Sequence, residues 1–167
     1  AGQAITTGDT NICIGGFSMD GGAGKTAYGC THVGHAGQRT GTSGNFNDSF
    51  GIDAYKNPTT GNSNVCLGSG SGNVITSGSS NSLVGRTAGV AISTGSFNSC
   101  LGIVAGSTIT TGSRNLCLGY DAGTSGSPNH ITTGDNAIVL GNNATASAHI
   151  RVDWTVTSDK RDKTDIE

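Results

Sequence analysis

The sequence predicts an all-β fold, a β-solenoid or β-roll of 17-residue coils, from three observations. The phrase G-x-x-N-x-x-[aliphatic]-G opens at Gly61, Gly78, Gly95 and Gly112, and with Phe50 in the apolar place at Gly44, each opening glycine 17 residues after the last. Glycine, threonine, serine and asparagine supply 84 of the 167 residues. The apolar residues sit at the centres of segments of four or five residues, such as Leu116–Leu118 and Thr108–Thr110, with Gly-rich and Asn-rich turns between them. Such runs are too short for helices and are punctuated as strands are. Self-similarity at a fixed period is the mark of stacked repeats.

Composition excludes several alternatives. Apolar residues make up 33% of the chain, charged residues 12% and aromatics 5%, against roughly 45–50% apolar in an ordinary soluble domain. A single compact core of large side chains is ruled out. A net charge of -2 leaves no basic face for a nucleic-acid backbone and no polybasic signal for a membrane surface. Disorder is disfavoured by the regular placement of Ile, Leu and Val. No apolar run approaches the roughly 20 residues of a membrane-spanning helix. No signal peptide opens the chain, whose first residue is Ala1, and a longer product is expected. Five cysteines cannot all pair within one chain, so reduced thiols of a cytosolically made protein are expected.

Taken in order, the first unit is Gly8–Gly15, with Ile14 in the aliphatic place. The pattern then decays over residues 16–43, although Gly22–Gly29 keeps two glycines at the right separation. Five regular units follow from Gly44. The step from Gly112 to Gly134 is 22, which places a five-residue insertion near Thr124–Asn129. Gly134–Gly141 keeps the frame with Ala137 for asparagine. Two apolar columns result. Ile14, Phe50, Leu67, Val84, Leu101, Leu118 and Leu140 lie six residues after the opening glycine. Ile5, Ile75, Ile92, Ile109 and Ile131 lie three before it, with Gly41 and Pro58 as exceptions. Each coil is expected to hold two strands and two tight turns, and stacking is expected to bury both columns. Glycine is expected to supply the left-handed corners, and asparagine to tolerate them while bonding locally. So thin a core leads us to expect side-by-side association, as a parallel homotrimer.

Several residues invite a chemical reading. Cys13, Cys66, Cys100 and Cys117 share one column, a candidate thiol ladder for soft metal. Ser49, Leu83 and Val139 fill the same column, so small, mildly apolar packing is expected instead. Asp20–Thr26 reads D-G-G-A-G-K-T, like a phosphate-binding loop, but Met19 stands where the motif needs glycine and no helix can follow. His32 and His35 are three apart and are expected to be exposed turn residues rather than metal ligands. Threonine pairs before the opening glycine suggest an ice-binding row, but β-branched and hydroxyl residues at strand ends need no special role. No metal or cofactor is expected.

The end of the chain changes character. Residues 151–167 carry nine of the twenty charged residues, and Ile150–Thr157 alternates apolar with polar residues as a longer strand does. Ser158-Asp159-Lys160-Arg161-Asp162-Lys163, with Ile166 beyond, resembles the opening of the intramolecular chaperone auto-processing domain of bacteriophage tail fibres and tailspikes, S-D-x-R-x-K followed by Ile. The Gly/Asn-rich repeats resemble those found before that domain. Gly134–Ala144 also resembles the head-repeat phrase G-D-N-A-I-x-L-G-N-N-A of trimeric autotransporter adhesins. The first resemblance implies a domain that trimerises, drives folding of the fibre and cuts itself away. It implies Ser158 as nucleophile, Lys163 as its base and Ser158–Asp159 as the scissile bond, since a desolvated lysine can deprotonate a serine. The sequence given stops nine residues after Ser158.

These readings divide the chain into repeats over 1–149 (irregular at 16–43), a terminal strand and junction over 150–158, and the start of a chaperone domain over 159–167. The expected protein is a structural and adhesive fibre segment of a virion, assembled in the host cytoplasm. Its expected partners are two identical chains and a host surface receptor, a glycan or outer-membrane component, without nucleic acid or membrane insertion. It is not an enzyme beyond a single self-cleavage. Host contacts are expected over Phe17–Asn45 and Thr124–His130, where the period breaks. The alternative is the head of a trimeric bacterial surface adhesin. A hexapeptide-repeat acyltransferase is more distant, because 17 is not a multiple of six.

Overall fold

The computed structural model describes residues 8–19, 24, 26–39 and 43–147. They form a β-solenoid of eight three-residue strands and no helix: β1 (Ile12–Ile14), β2 (Thr31–Val33), β3 (Asp48–Phe50), β4 (Val65–Leu67), β5 (Ser82–Val84), β6 (Ser99–Leu101), β7 (Leu116–Leu118) and β8 (Ile138–Leu140). The strands lie in one parallel sheet in chain order, each paired with the strands before and after it. The register sets Cys13, His32, Ser49, Cys66, Leu83, Cys100, Cys117 and Val139 in one row.

The segment between Gly15 and Gly44 holds a coil after all, in a different frame from the expected one. It is Ala27–Gly34 rather than Gly22–Gly29, with Ala27 in place of the opening glycine and Cys30 in place of asparagine. Cys30 does part of the missing asparagine's work, because its Sγ accepts the Asn47 N–H at 3.4 Å. The 22-residue step is absorbed outside the sheet. Cys117 still pairs with Val139, and the extra chain folds out before Ile131. There the Ser127 hydroxyl donates to Thr124 O at 2.8 Å and Asn143 N–H donates to Gly126 O at 2.8 Å.

Each described coil has one strand, not the expected two. Beside the isoleucine column the coils are joined by backbone bonds that form no strand ladder, such as Thr76 N–H to Ser93 O and Ser93 N–H to Thr110 O, both 2.8 Å. Left-handed residues cut the extended run there. Gly89, three before Ile92, has φ +56°, and a Cβ on it would lie 2.8 Å from Ile92 Cδ1. The first three coils reverse this arrangement and place Met19, Gln38 or Tyr55 at the equivalent site, all buried and all with positive φ. Tyr55 thereby fills the room that Pro58, which replaces the isoleucine, leaves open. Its hydroxyl donates to Gly61 O at 2.8 Å and accepts from Asn64 Nδ2 at 3.0 Å.

The core is one small side chain deep per element. It takes the mid-strand row (Cys66, Leu83, Cys100, Cys117, Val139), an alanine row (Ala54, Ala88, Ala105, Ala122) and the isoleucine column. The leucine row, expected to be buried, faces outward instead. A three-residue strand turns its middle residue to one side of the sheet and both flanking residues to the other.

Asn47, Asn64, Asn81, Asn98 and Asn115 form a buried ladder inside the coil. Asn98 is representative. Its Nδ2 donates to Asn81 Oδ1 at 3.1 Å and to Gly112 O at 2.9 Å, while its Oδ1 accepts from Asn115 N–H and Nδ2, both at 3.1 Å. A second ladder runs outside it in the opposite sense, where Ser79 N–H donates to Ser96 Oγ at 3.0 Å and Ser96 N–H to Ser113 Oγ at 3.1 Å. The ladder asparagines are not the left-handed corners. That conformation falls on the preceding residue, Phe46, Ser63, Ser80, Phe97 or Arg114, at φ 54° to 60°. Such backbone costs on the order of 1 kcal/mol per residue and is held by its surroundings. Here the ladder bonds on both sides hold it.

Candidate functional site

The outward face of the sheet is the most unusual surface among the described residues. The row six residues after the opening glycine runs unbroken from β1 to β8 as Ile14, Val33, Phe50, Leu67, Val84, Leu101, Leu118 and Leu140. Leu101 is 50% exposed and Ile14 58%. Ile12 and Ile138 extend the stripe on the other side of the strand, and Ile138 is 65% exposed. Ile52, Ile103 and Tyr120 stand exposed just past the glycine corner. Eight strands spaced about 4.8 Å apart give a stripe roughly 34 Å long.

The other candidate residues fall elsewhere. The cysteine column faces the core, with Cys13 half-buried at its first coil. Cys66, Cys100 and Cys117 are fully buried, and burial pushes the Cys66 thiol far above its ordinary range. The neighbouring Cys117 thiol and burial together raise the pKa of the Cys100 thiol. Packing is the column's evident role. Among the described residues no group of three or more His, Cys, Asp and Glu side chains converges to hold a metal ion. Among the described residues no helix is long and apolar enough to cross a membrane.

His32 is not an exposed turn residue. It is the fully buried centre of β2, with Nδ1 2.6 Å from Ser49 Oγ and Nε2 2.6 Å from Gln38 Oε1. Gln38 Nε2 in turn donates to Gly44 O at 3.2 Å. Since Oε1 only accepts, Nε2 carries a proton, and in the neutral ring Nδ1 accepts from the serine hydroxyl. Hydroxyl, imidazole and orienting amide are ordered as in a nucleophilic triad. Ser49, however, is 1% exposed, so the network fills the core with satisfied polar groups and meets no substrate. Sequence spacing could not find it, because Gln38 gave no signal until its coil was framed.

His35 is exposed, with its ring edge-on to Phe17 at 5.3 Å, and the Arg39 guanidinium lies 5.7 Å over the Phe17 ring. In the insertion Thr124 and Ser127 are buried, while Pro128, Asn129 and His130 are exposed. The threonine row is partly structural, since the Thr59 and Thr76 hydroxyls donate to Thr76 O and Ser93 O. Most of Asp20–Thr26, the strand at Ile150–Thr157, and Ser158, Asp159 and Lys163 lie outside the described residues. No protein-family model, curated protein or solved structure matches the chain.

Proposed function

We propose that the chain is a structural and adhesive segment of a viral tail fibre, of the bacteriophage kind, assembled as a parallel homotrimer and matured by one self-cleavage. The single observation that carries the reading is the rod: eight parallel strands stacked in chain order, with their polar clusters turned into the core and a long apolar stripe on the outside. Such a body suits transmission and display of a surface better than turnover of a substrate. Attachment to a host glycan or outer-membrane component is assigned to the exposed Phe17, His35 and Arg39 corner and to the Pro128–His130 tip. Ser158 is the proposed nucleophile, Lys163 its base and Ser158–Asp159 the bond cut, on the resemblance of Ser158–Lys163 alone.

A second reading, the head of a trimeric bacterial adhesin, is favoured by the phrase Gly134–Ala144, which spans β8. Denatured intact mass of the chain expressed with its natural downstream sequence separates the two. A fragment ending at Ser158, lost in Ser158→Ala and in Lys163→Ala, supports the self-processing fibre. An uncut product followed by a coiled-coil stalk supports the adhesin.

A further inference from the structure

We infer that the outward face of the sheet is the seat of two further copies of this same chain, packed parallel and in register so that the leucine row of each lies on the shared axis. This rests on the trimeric-fibre reading and adds the surface by which the trimer is made.

Area is the first argument. Exposed apolar side chains along the stripe leave on the order of 1,000 Å² open to water, by the size of such side chains. The largest apolar patch of a typical monomer is about 300–600 Å². A stable interface takes about 800 Å² from each partner. The stripe is therefore too large for a surface kept in water and large enough for an interface.

Geometry names the occupant. The rows repeat at the spacing of a parallel ladder, about 4.8 Å, over roughly 34 Å. A partner that fills every row must repeat at that same pitch over that same length. A second copy of this chain does so by construction, whereas a globular partner meets only a few rows.

Charge permits the arrangement. Among the outward strand residues Asp48 is the single charged side chain, and its Oδ1 already accepts the Thr31 N–H at 3.0 Å. Arg86 stands beyond the glycine corner, at the rim of the stripe. The leucine row itself carries no charge, so copies meeting row on row bring no like charges together on the axis.

The test uses the chain expressed with its natural downstream sequence, which on the proposed function carries the trimerising domain. Leu67→Lys with Leu118→Lys places like charges three strands apart within one chain, which the ladder tolerates, yet gathers the lysines of parallel copies at one level on the axis in each row. Mass from light scattering is expected to read a trimer for the unaltered chain and a monomer for the double variant, with the far-ultraviolet circular dichroism retained. Leu118→Cys alone is expected to give chain-to-chain cross-links under mild oxidation, because the same residue of each copy lies at one level on the axis. A trimer that survives the double variant, or an intact Leu118→Cys trimer that does not cross-link, overturns this interface while leaving the trimeric fibre standing. An unaltered chain that stays monomeric at high concentration overturns both.

Discussion

Replacing Asn98 by alanine tests whether the buried ladder carries the stability of the coil stack. Four side-chain hydrogen bonds go with it. Two of the groups released keep another partner: Asn81 Oδ1 still accepts the Asn98 N–H, and Asn115 Nδ2 still donates to Gly134 O. The other two are backbone groups that lose their partner inside the coil. The Gly112 carbonyl loses Nδ2, and the Asn115 N–H loses Oδ1, with both residues buried. A buried polar group left unsatisfied costs about 1–3 kcal/mol, so the variant should lose about 4 kcal/mol. Urea unfolding followed by circular dichroism reads the loss as a lower midpoint. Thr94→Ala, at an exposed site in the adjoining turn, serves as the control and should stay within about 0.5 kcal/mol. Asn98→Asp should fail at pH 7, where a carboxylate faces the Gly112 carbonyl, and recover partly near pH 3, where the acid regains one donor. A loss under about 1 kcal/mol for Asn98→Ala would refute the ladder's role.

Three further outcomes follow from the coil's interior. Gly102→Ala should destabilise by about 3 kcal/mol or more in the same urea assay, because at φ +139° its Cβ meets Gly119 O at 2.5 Å, whereas Gly134→Ala, with nothing within 4 Å, should be nearly neutral. Leu83→Ala should cost about 2–5 kcal/mol by opening a cavity between Cys66 and Cys100, while Leu83→Cys, which continues the sulfur row, should cost less. Stability should fall in alkali. Burial raises the folded-state pKa of the Cys66 thiol and the Tyr55 phenol above their ordinary values of 9.0 and 10.0, so the unfolded chain releases these protons first. Stability present below about pH 9 for the thiol and about pH 10 for the phenol is then lost as the pH rises further, by about 1.4 kcal/mol per unit for each group. Thermal melts from pH 8 to 11 should show a shallower decline for Cys66→Val.

The period was legible because each coil must present the same few groups to its neighbours. The opening and closing glycines mark close approach of successive coils, and the mid-strand column tolerates only small or compact apolar residues. What the sequence hid was direction. Cys100 and Leu101 are adjacent, and composition alone makes leucine the core residue. In a three-residue strand the neighbours of an inward side chain must point out, so the smaller cysteine is inside and the larger leucine outside. The place of the ladder asparagines was hidden for a related reason. Their turn propensity suggested left-handed corners, but inside the coil their amides are engaged four ways, and the corner moves to the residue before them. Residues 16–43 stayed opaque because three substitutions act together: Ala27, Cys30 and Gln38 each depart from the pattern. The pairing of His32 with Cys13 and Ser49 in the sheet reveals that they belong to one coil.

The stacking of every strand solely on its neighbours in chain order makes the molecule a ruler. Adding or deleting one unit between Gly44 and Gly112 changes the rod by one strand spacing, about 4.8 Å, and leaves every remaining contact of the same kind. Length is thus written in the number of units, separately from what the rod carries at its corners. The excursion before Ile131 illustrates the second freedom, since five extra residues leave the pairing of Cys117 with Val139 in step. A lineage can lengthen such a rod by duplication and vary its corners by insertion, and neither change requires the other.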